Sequence, residues 1–119
     1  MNTWSSSGRT VGRFAPSPTG LMHLGNAWSF FLAWLGARSA GGRVILRHED
    51  IDPDRSRTSW MDAMERDLSW LGLDWDEGTS RGPHAPYHQS LCGPLYERAL
   101  DRLKAQGLVY PCYCTRKEL

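Results

Sequence analysis

The stretch TVGRFAPSPTGLMHLGNAWSFFLAWLGARSAGGRVILR, residues 10–47, decides the architecture. Residues 10–15 read as a short strand, and Pro16 and Pro18 then bar a helix, because proline fixes φ and pushes the residue before it to extended backbone. Over residues 25–39, Trp28, Phe31, Leu32 and Leu35 recur at helical spacing, and Gly41-Gly42 supplies the stop. Residues 43–47, RVILR, form a second run of strand length and β-branched character. Strand, turn, helix and strand make one βαβ unit, for which a right-handed crossover and two parallel strands are expected.

Outward from this unit, residues 50–57 are charged and hold Pro53, so they form a loop at the end of the second strand, where ligands commonly meet α/β sheets. Residues 59–71 place Trp60, Met64, Leu68 and Leu71 on one helical face, with a Ser59/Asp62 cap at the start and Gly72 past the end. Residues 78–86 are rich in Gly, Pro and Ser and have no period. A third helix is expected over 91–106, carrying Leu91, Leu95, Ala99, Leu100 and Leu103, with Pro94 in its first turn and Gly107 as terminator. Repeats and low-complexity segments are absent.

The chain has 119 residues, 40% of them hydrophobic, enough for one ordinary core. With 14 Lys plus Arg against 13 Asp plus Glu there is no strong overall field, so contact with RNA must be local. The N-terminus lacks the basic cluster and apolar run of a signal peptide. The apolar run 27–37 is broken by Ser29 and Gly36 and falls short of the roughly 20 residues that span a bilayer, so it reads as a buried helix and no membrane is expected. Three cysteines do not suit a disulfide framework, and a reducing, cytoplasmic setting is expected.

The chemistry concentrates in Arg13-Phe14-Ala15-Pro16-Ser17-Pro18-Thr19-Gly20 and, three residues on, His23-Leu24-Gly25-Asn26. A strand, a proline-locked turn and a His-x-Gly step at a helix start describe a nucleotide site. The helix N-terminus presents unpaired N–H groups and partial positive charge to phosphate, Gly25 permits close approach, and His23 can donate to phosphate oxygens.

These residues resemble the class I aminoacyl-tRNA synthetases, whose first nucleotide motif reads His-Ile-Gly-His, and within them the glutamyl group. The resemblance runs from Val11 onward. It is carried also by Arg47-His48-Glu49-Asp50-Ile51-Asp52, Leu71-Gly72-Leu73-Asp74-Trp75-Asp76-Glu77-Gly78, Pro86-Tyr87-His88-Gln89-Ser90 and Tyr110-Pro111-Cys112-Tyr113-Cys114-Thr115-Arg116. It implies an α/β fold, the first half of a Rossmann-like class I synthetase nucleotide-binding fold with an incomplete parallel sheet. The division it suggests is a tail over 1–10, the N-terminal half of a catalytic domain over 11–107, and the start of an inserted acceptor-binding or zinc-binding region over 108–119.

The implied activity is that of a ligase. L-Glutamate is activated with ATP and Mg2+ as glutamyl-adenylate, then transferred to tRNA by a protein that is monomeric when intact. The resemblance gives His23, Gly25 and Asn26 to catalysis. It gives Arg13, Phe14, Ala15, Pro16, Ser17 and Glu49 to substrate, with Arg13 on the side-chain carboxylate and Glu49 on the α-ammonium group. Two departures matter: Asn26 replaces the second motif histidine and cannot carry its charge, and His48 replaces a usually apolar residue and reads as a buried neutral imidazole. Ile51, where threonine is usual, and the Cys112-x-Cys114 pair favour the short paralogues that attach glutamate to queuosine of the aspartate tRNA. In those proteins the pair helps hold Zn2+ with ligands that here would lie past Leu119. Two thiolates are half a tetrahedral zinc shell. Cys92 reads as packing. The family's lysine-rich second motif has no match, since the lysines are Lys104 and Lys117. Open alternatives are part of a full-length glutamyl-tRNA synthetase and a non-catalytic remnant binding glutamate or ATP weakly. The 119 residues alone are expected to be inactive.

Overall fold

The computed structural model describes residues 10–79, 82–115 and 117–118. Strand β1 (Val11–Phe14) and strand β2 (Arg43–Leu46) are parallel, in register from Val11 opposite Arg43 to Phe14 opposite Leu46, and helix α1 (Leu24–Ser39) connects them. The expected βαβ unit with an incomplete parallel sheet is therefore present. Pairing continues beyond the strands, with Arg47 N–H donating to Phe14 O at 2.9 Å and Glu49 N–H to Pro16 O at 2.8 Å. On the other edge, Ile45 of β2 pairs with Glu77 and, two residues past the end of β2, His48 pairs with His88, each a single-residue parallel bridge. Flanked on both edges, β2 and the extended chain that continues it bury alternate residues Val44, Leu46 and His48.

The core consists of Phe14, Ala37, Val44, Leu46, Leu68 and Leu73, with Met22, Phe30, Trp34 and Trp75 packed around it. Helix α1 turns a different side to this core from the one its large residues suggest. Trp28, Phe31, Leu32 and Leu35 are exposed, and the packed side is built on Ala33 and Ala37 with Phe30 and Trp34 beside them. Gly12 explains the choice: a Cβ there would stand 2.9 Å from both Ala33 O and Ala37 Cβ, so strand and helix approach more closely than a larger residue permits. Polar bonds fix the rotation. Trp34 Nε1 donates to Asp74 Oδ1 at 2.7 Å, and Arg38 pairs with Asp74 at 3.1 Å and Asp76 at 2.7 Å.

Helix α2 (Thr58–Trp70) buries Ala63, Met64 and Leu68, so two residues of the expected face are buried, while Trp60 is only partly buried, Leu71 past the helix end is exposed, and the Ser59/Asp62 cap does not form. The helix begins one residue earlier, with Arg57 at the N-cap; its guanidinium carries only donors and makes no cap bond, while its backbone N–H is held by Pro18 O at 3.1 Å. A 3₁₀ turn (Gln89–Cys92) takes up the first residues of the expected third helix, and α3 (Gly93–Ala105) follows with Pro94 in its first turn. No described residue of α3 is buried, so the apolar residues Leu95, Leu100 and Leu103 that mark it in the sequence stay exposed among the described residues. Cys92 is buried, as its reading as a packing residue required. No helix among the described residues is long and apolar enough to cross a membrane.

Candidate active site

The Pro16-Ser17-Pro18 turn leaves β1 with both prolines buried and Ser17 exposed, and it is held against the start of α2 through Arg57. Beside it lies a cavity of about 300 Å³, at the lower end of the ~300–1,000 Å³ typical of ligand sites. Five of the sequence-derived residues line it together: Ala15, Pro16, Ser17, His23 and Asn26. Phe30 and Met64 also line it; sequence reading missed both, since Phe30 falls outside the face that Trp28, Phe31, Leu32 and Leu35 mark and Met64 reads only as part of an apolar helix face.

His23 and Asn26 form a reciprocal cap on α1. His23 Nδ1 accepts from Gly25 N–H at 3.1 Å and Asn26 N–H at 3.4 Å, while His23 N–H donates to Asn26 Oδ1 at 3.3 Å. Two amides expected to be free for phosphate are thus already engaged, which corrects the picture of an open helix end; the partial positive charge there remains. Nδ1 acts as acceptor, so the proton of the neutral ring sits on Nε2, which is left to donate outward. Asn26, with Oδ1 committed, likewise has its amide N–H groups to offer. Gly25 has a local reason to be glycine, since a Cβ there would lie 3.0 Å from Cε1 and 3.1 Å from Nδ1 of the His23 ring.

Not every candidate reaches the cavity. Phe14 is fully buried, its ring centroid 5.5 Å from that of Phe30, so its side chain supports the wall from behind rather than facing a ligand. Arg13, its neighbour on β1, is exposed and has no partner among the described residues. Glu49 is partly buried, and Arg47 holds its Oε1 from Nη2 at 2.6 Å and Nε at 3.1 Å. Alternate residues of extended chain share a side, so the sequence itself offers this pairing.

Behind Glu49 a polar network ties the sheet to the 77–90 segment. Asp50 accepts from Ser90 N–H at 3.0 Å and Ser90 Oγ at 2.7 Å and lies 3.3 Å from His88 Nδ1. Burial alone would push the Asp50 carboxyl up, but the bonds from Ser90 and His88 outweigh it and hold the group below the ordinary carboxylate value. His48 is fully buried, its ring stacked on His88 at 5.4 Å, with Nε2 2.9 Å from Glu65 Oε1 and Nδ1 unpartnered. A neutral ring donating from Nε2 leaves only a bare acceptor unsatisfied. On the far side, buried Glu77 joins Arg43 at 2.7 Å and the Tyr87 hydroxyl at 2.9 Å.

Cys112 and Cys114 are exposed free thiols on a segment without regular structure. Among the described residues no group of three or more His, Cys, Asp or Glu is placed to hold a metal. Those present do not complete a zinc shell.

Residues 9–119 match the family described as tRNA synthetases class I (E and Q), catalytic domain. The chain belongs to this family. The synthetase chain is 63% identical to a Glutamyl-Q tRNA(Asp) synthetase from Nitratidesulfovibrio vulgaris, over 91% of this chain and 34% of that relative. It is 53% identical to a Glutamate--tRNA ligase 2 from Syntrophus aciditrophicus, over 90% of this chain and 22% of the relative. Its structure is similar, at a TM-score of 0.82 and 33% identity, to a glutamate tRNA ligase from Elizabethkingia meningosepticum solved in complex with its amino acid, covering 93% of this chain and 22% of that one. The synthetase chain therefore spans about a third or less of the length of the relatives it resembles.

Proposed function

We propose that the protein carrying this chain activates L-glutamate with ATP as glutamyl-adenylate and transfers the glutamyl group to queuosine of the aspartate tRNA. The observation that carries this reading is the cavity at which the Ala15–Ser17 run and the capped start of α1 converge. Higher identity to the Glutamyl-Q relative than to the glutamate ligase, together with Ile51, supports queuosine as acceptor.

The glutamate α-carboxylate attacks the α-phosphorus of ATP and pyrophosphate departs. A hydroxyl of the acceptor nucleotide then takes the acyl group and AMP leaves. No side chain need act as nucleophile, because placement and charge stabilisation do the catalysis. His23 donates from Nε2 to phosphate oxygens, Asn26 offers its amide N–H, and the first turn of α1 adds its partial charge. Gly25 gives the His23 ring its place. Arg13 meets the substrate's side-chain carboxylate with two aligned donors, Glu49 accepts from its α-ammonium group, and the backbone and hydroxyl at 15–17 hold the reacting end. Phe14 supports this run from the core. ATP enters with Mg2+. Cys112 and Cys114 would supply two thiolates to a Zn2+ whose other ligands lie outside these residues. A cytoplasmic monomer with a tail over 1–10, a half catalytic domain over 11–107 and an inserted region from 108 completes the reading.

Glutamate-dependent ATP/pyrophosphate exchange, followed by charging of aspartate tRNA with and without queuosine, tests it on the full-length protein. Glutamylation of the queuosine form alone is expected. Charging of glutamate tRNA would assign a glutamyl-tRNA synthetase instead, and binding without exchange a non-catalytic remnant.

A further inference from the structure

Arg47 has no place in the reaction as described, yet it is bonded to a residue that does. The amides of Arg47 and Glu49 are both fixed to the first strand and its turn, at 2.9 Å to Phe14 O and 2.8 Å to Pro16 O. The two side chains leave one side of this anchored backbone, and two guanidinium N–H groups converge on Glu49 Oε1, at 2.6 and 3.1 Å. Oε2 keeps no partner among the described residues and is the lone acceptor atom free to receive a ligand.

We propose that Arg47 is a positioning residue that holds Glu49 in the rotamer in which its free oxygen receives the α-ammonium group of the amino-acid substrate. This rests on the glutamate-activating reading above. A glutamate side chain has three rotatable bonds, and a carboxylate ordered before binding does not lose that freedom on binding. The pair is partly buried, so solvent screens it less than an exposed one. The hydrogen bond to Glu49 is also the main reason the Arg47 guanidinium pKa lies above its ordinary value.

Two effects of Arg47 on an incoming ammonium oppose each other. As a nearby cation it repels that ammonium, so at this contact its removal should by charge alone tighten binding. As a clamp it orders the acceptor, so its removal should weaken binding. The sign of the change, read together with whether it vanishes once Glu49 is replaced, therefore identifies the role.

Calorimetry of L-glutamate and ATP separately on the full-length protein, unsubstituted and as Arg47→Ala, Arg47→Lys, Glu49→Gln and the Arg47→Ala/Glu49→Gln double variant, is the test. Arg47→Ala should weaken glutamate binding about tenfold and leave ATP within about twofold, and the double variant should bind no worse than Glu49→Gln alone, since nothing is left to position. Arg47→Lys should fall between, keeping the charge without the planar pair of donors. Unchanged or tighter glutamate binding by Arg47→Ala, losses that add in the double variant, or equal losses for both ligands would overturn the proposal. If Glu49→Gln leaves glutamate affinity unchanged, or the unsubstituted protein does not bind glutamate, the substrate reading itself fails and takes this inference with it.

Discussion

His23 uses its two ring nitrogens for different purposes. Nδ1 closes the first turn of α1 through Gly25 and Asn26, and on the proposed reading the Nε2 proton serves a ligand. Substitution can separate the two. His23→Ala removes both and should cost about 1 kcal/mol of stability as a lost N-cap, together with activity. His23→Asn keeps a good capping acceptor, so it should melt close to the parent, yet lose pyrophosphate exchange by about a hundredfold for want of the outward donor. Urea unfolding beside the exchange assay reads the two effects apart; equal activity in His23→Asn and the parent would show the histidine to be a cap and nothing more. The pairing also explains why asparagine serves at position 26. A short side chain with an acceptor oxygen completes the cap, a role that a histidine ring at that position would fill poorly.

At the scale of elements, the clearest prediction concerns acid. The Asp50 carboxyl is held below its ordinary value by Ser90 and His88 against the effect of burial, and Asp76 by the Val44 amide and by Arg38. A carboxyl whose folded pKa lies below its unfolded value of about 3.9 stabilises fully above that pH and progressively less as pH falls toward the folded value. Thermal stability should therefore be lost below about pH 4. Asp50→Asn should cost about 1–3 kcal/mol at pH 7, because buried donors lose a charged acceptor, and should show a shallower acid limb in melts from pH 7 to 3. A limb as steep as the parent's would remove Asp50 from the account. The same elements show what the sequence could and could not reveal. The order of strands and helices was legible because Gly72 and Gly107, both at positive φ, and the two prolines punctuate it locally. The facing of α1 was not, because that helix is apolar almost all round and its orientation is decided by the fit of Ala33 and Ala37 over Gly12, a matter of small volumes that periodicity does not register. The bridges at Glu77 and His88 were invisible for a related reason: single-residue pairings leave no run of alternating residues to read. In the site, chain-local neighbours such as His23 and Asn26 were recognisable, whereas the approach of Met64 from α2 depends on packing across more than forty residues of chain.

Taken whole, the molecule leaves much apolar surface uncovered: Trp28, Leu32 and Leu35 on α1, Leu95 and Leu103 on α3, and Tyr110 and Tyr113 beyond it. A polypeptide of these 119 residues alone should bind a hydrophobic dye and tend to self-associate. It should also give no measurable pyrophosphate exchange with glutamate, since on the proposed reading His23 and the start of α1 serve only the near side of the displaced phosphorus and no lysine-rich loop meets the departing pyrophosphate. Robust exchange by the short chain beside the full-length protein would sink that argument. The outward face of α1 has an optical consequence as well. Trp28 is 59% exposed and Trp70 86%, while Trp34 is half-buried with its indole N–H held by Asp74. With Trp4 and Trp70 replaced by phenylalanine, Trp28 becomes the indole most open to a collisional quencher such as acrylamide, and a blue shift with loss of quenching then registers anything that settles on α1, from a folding neighbour to a second molecule.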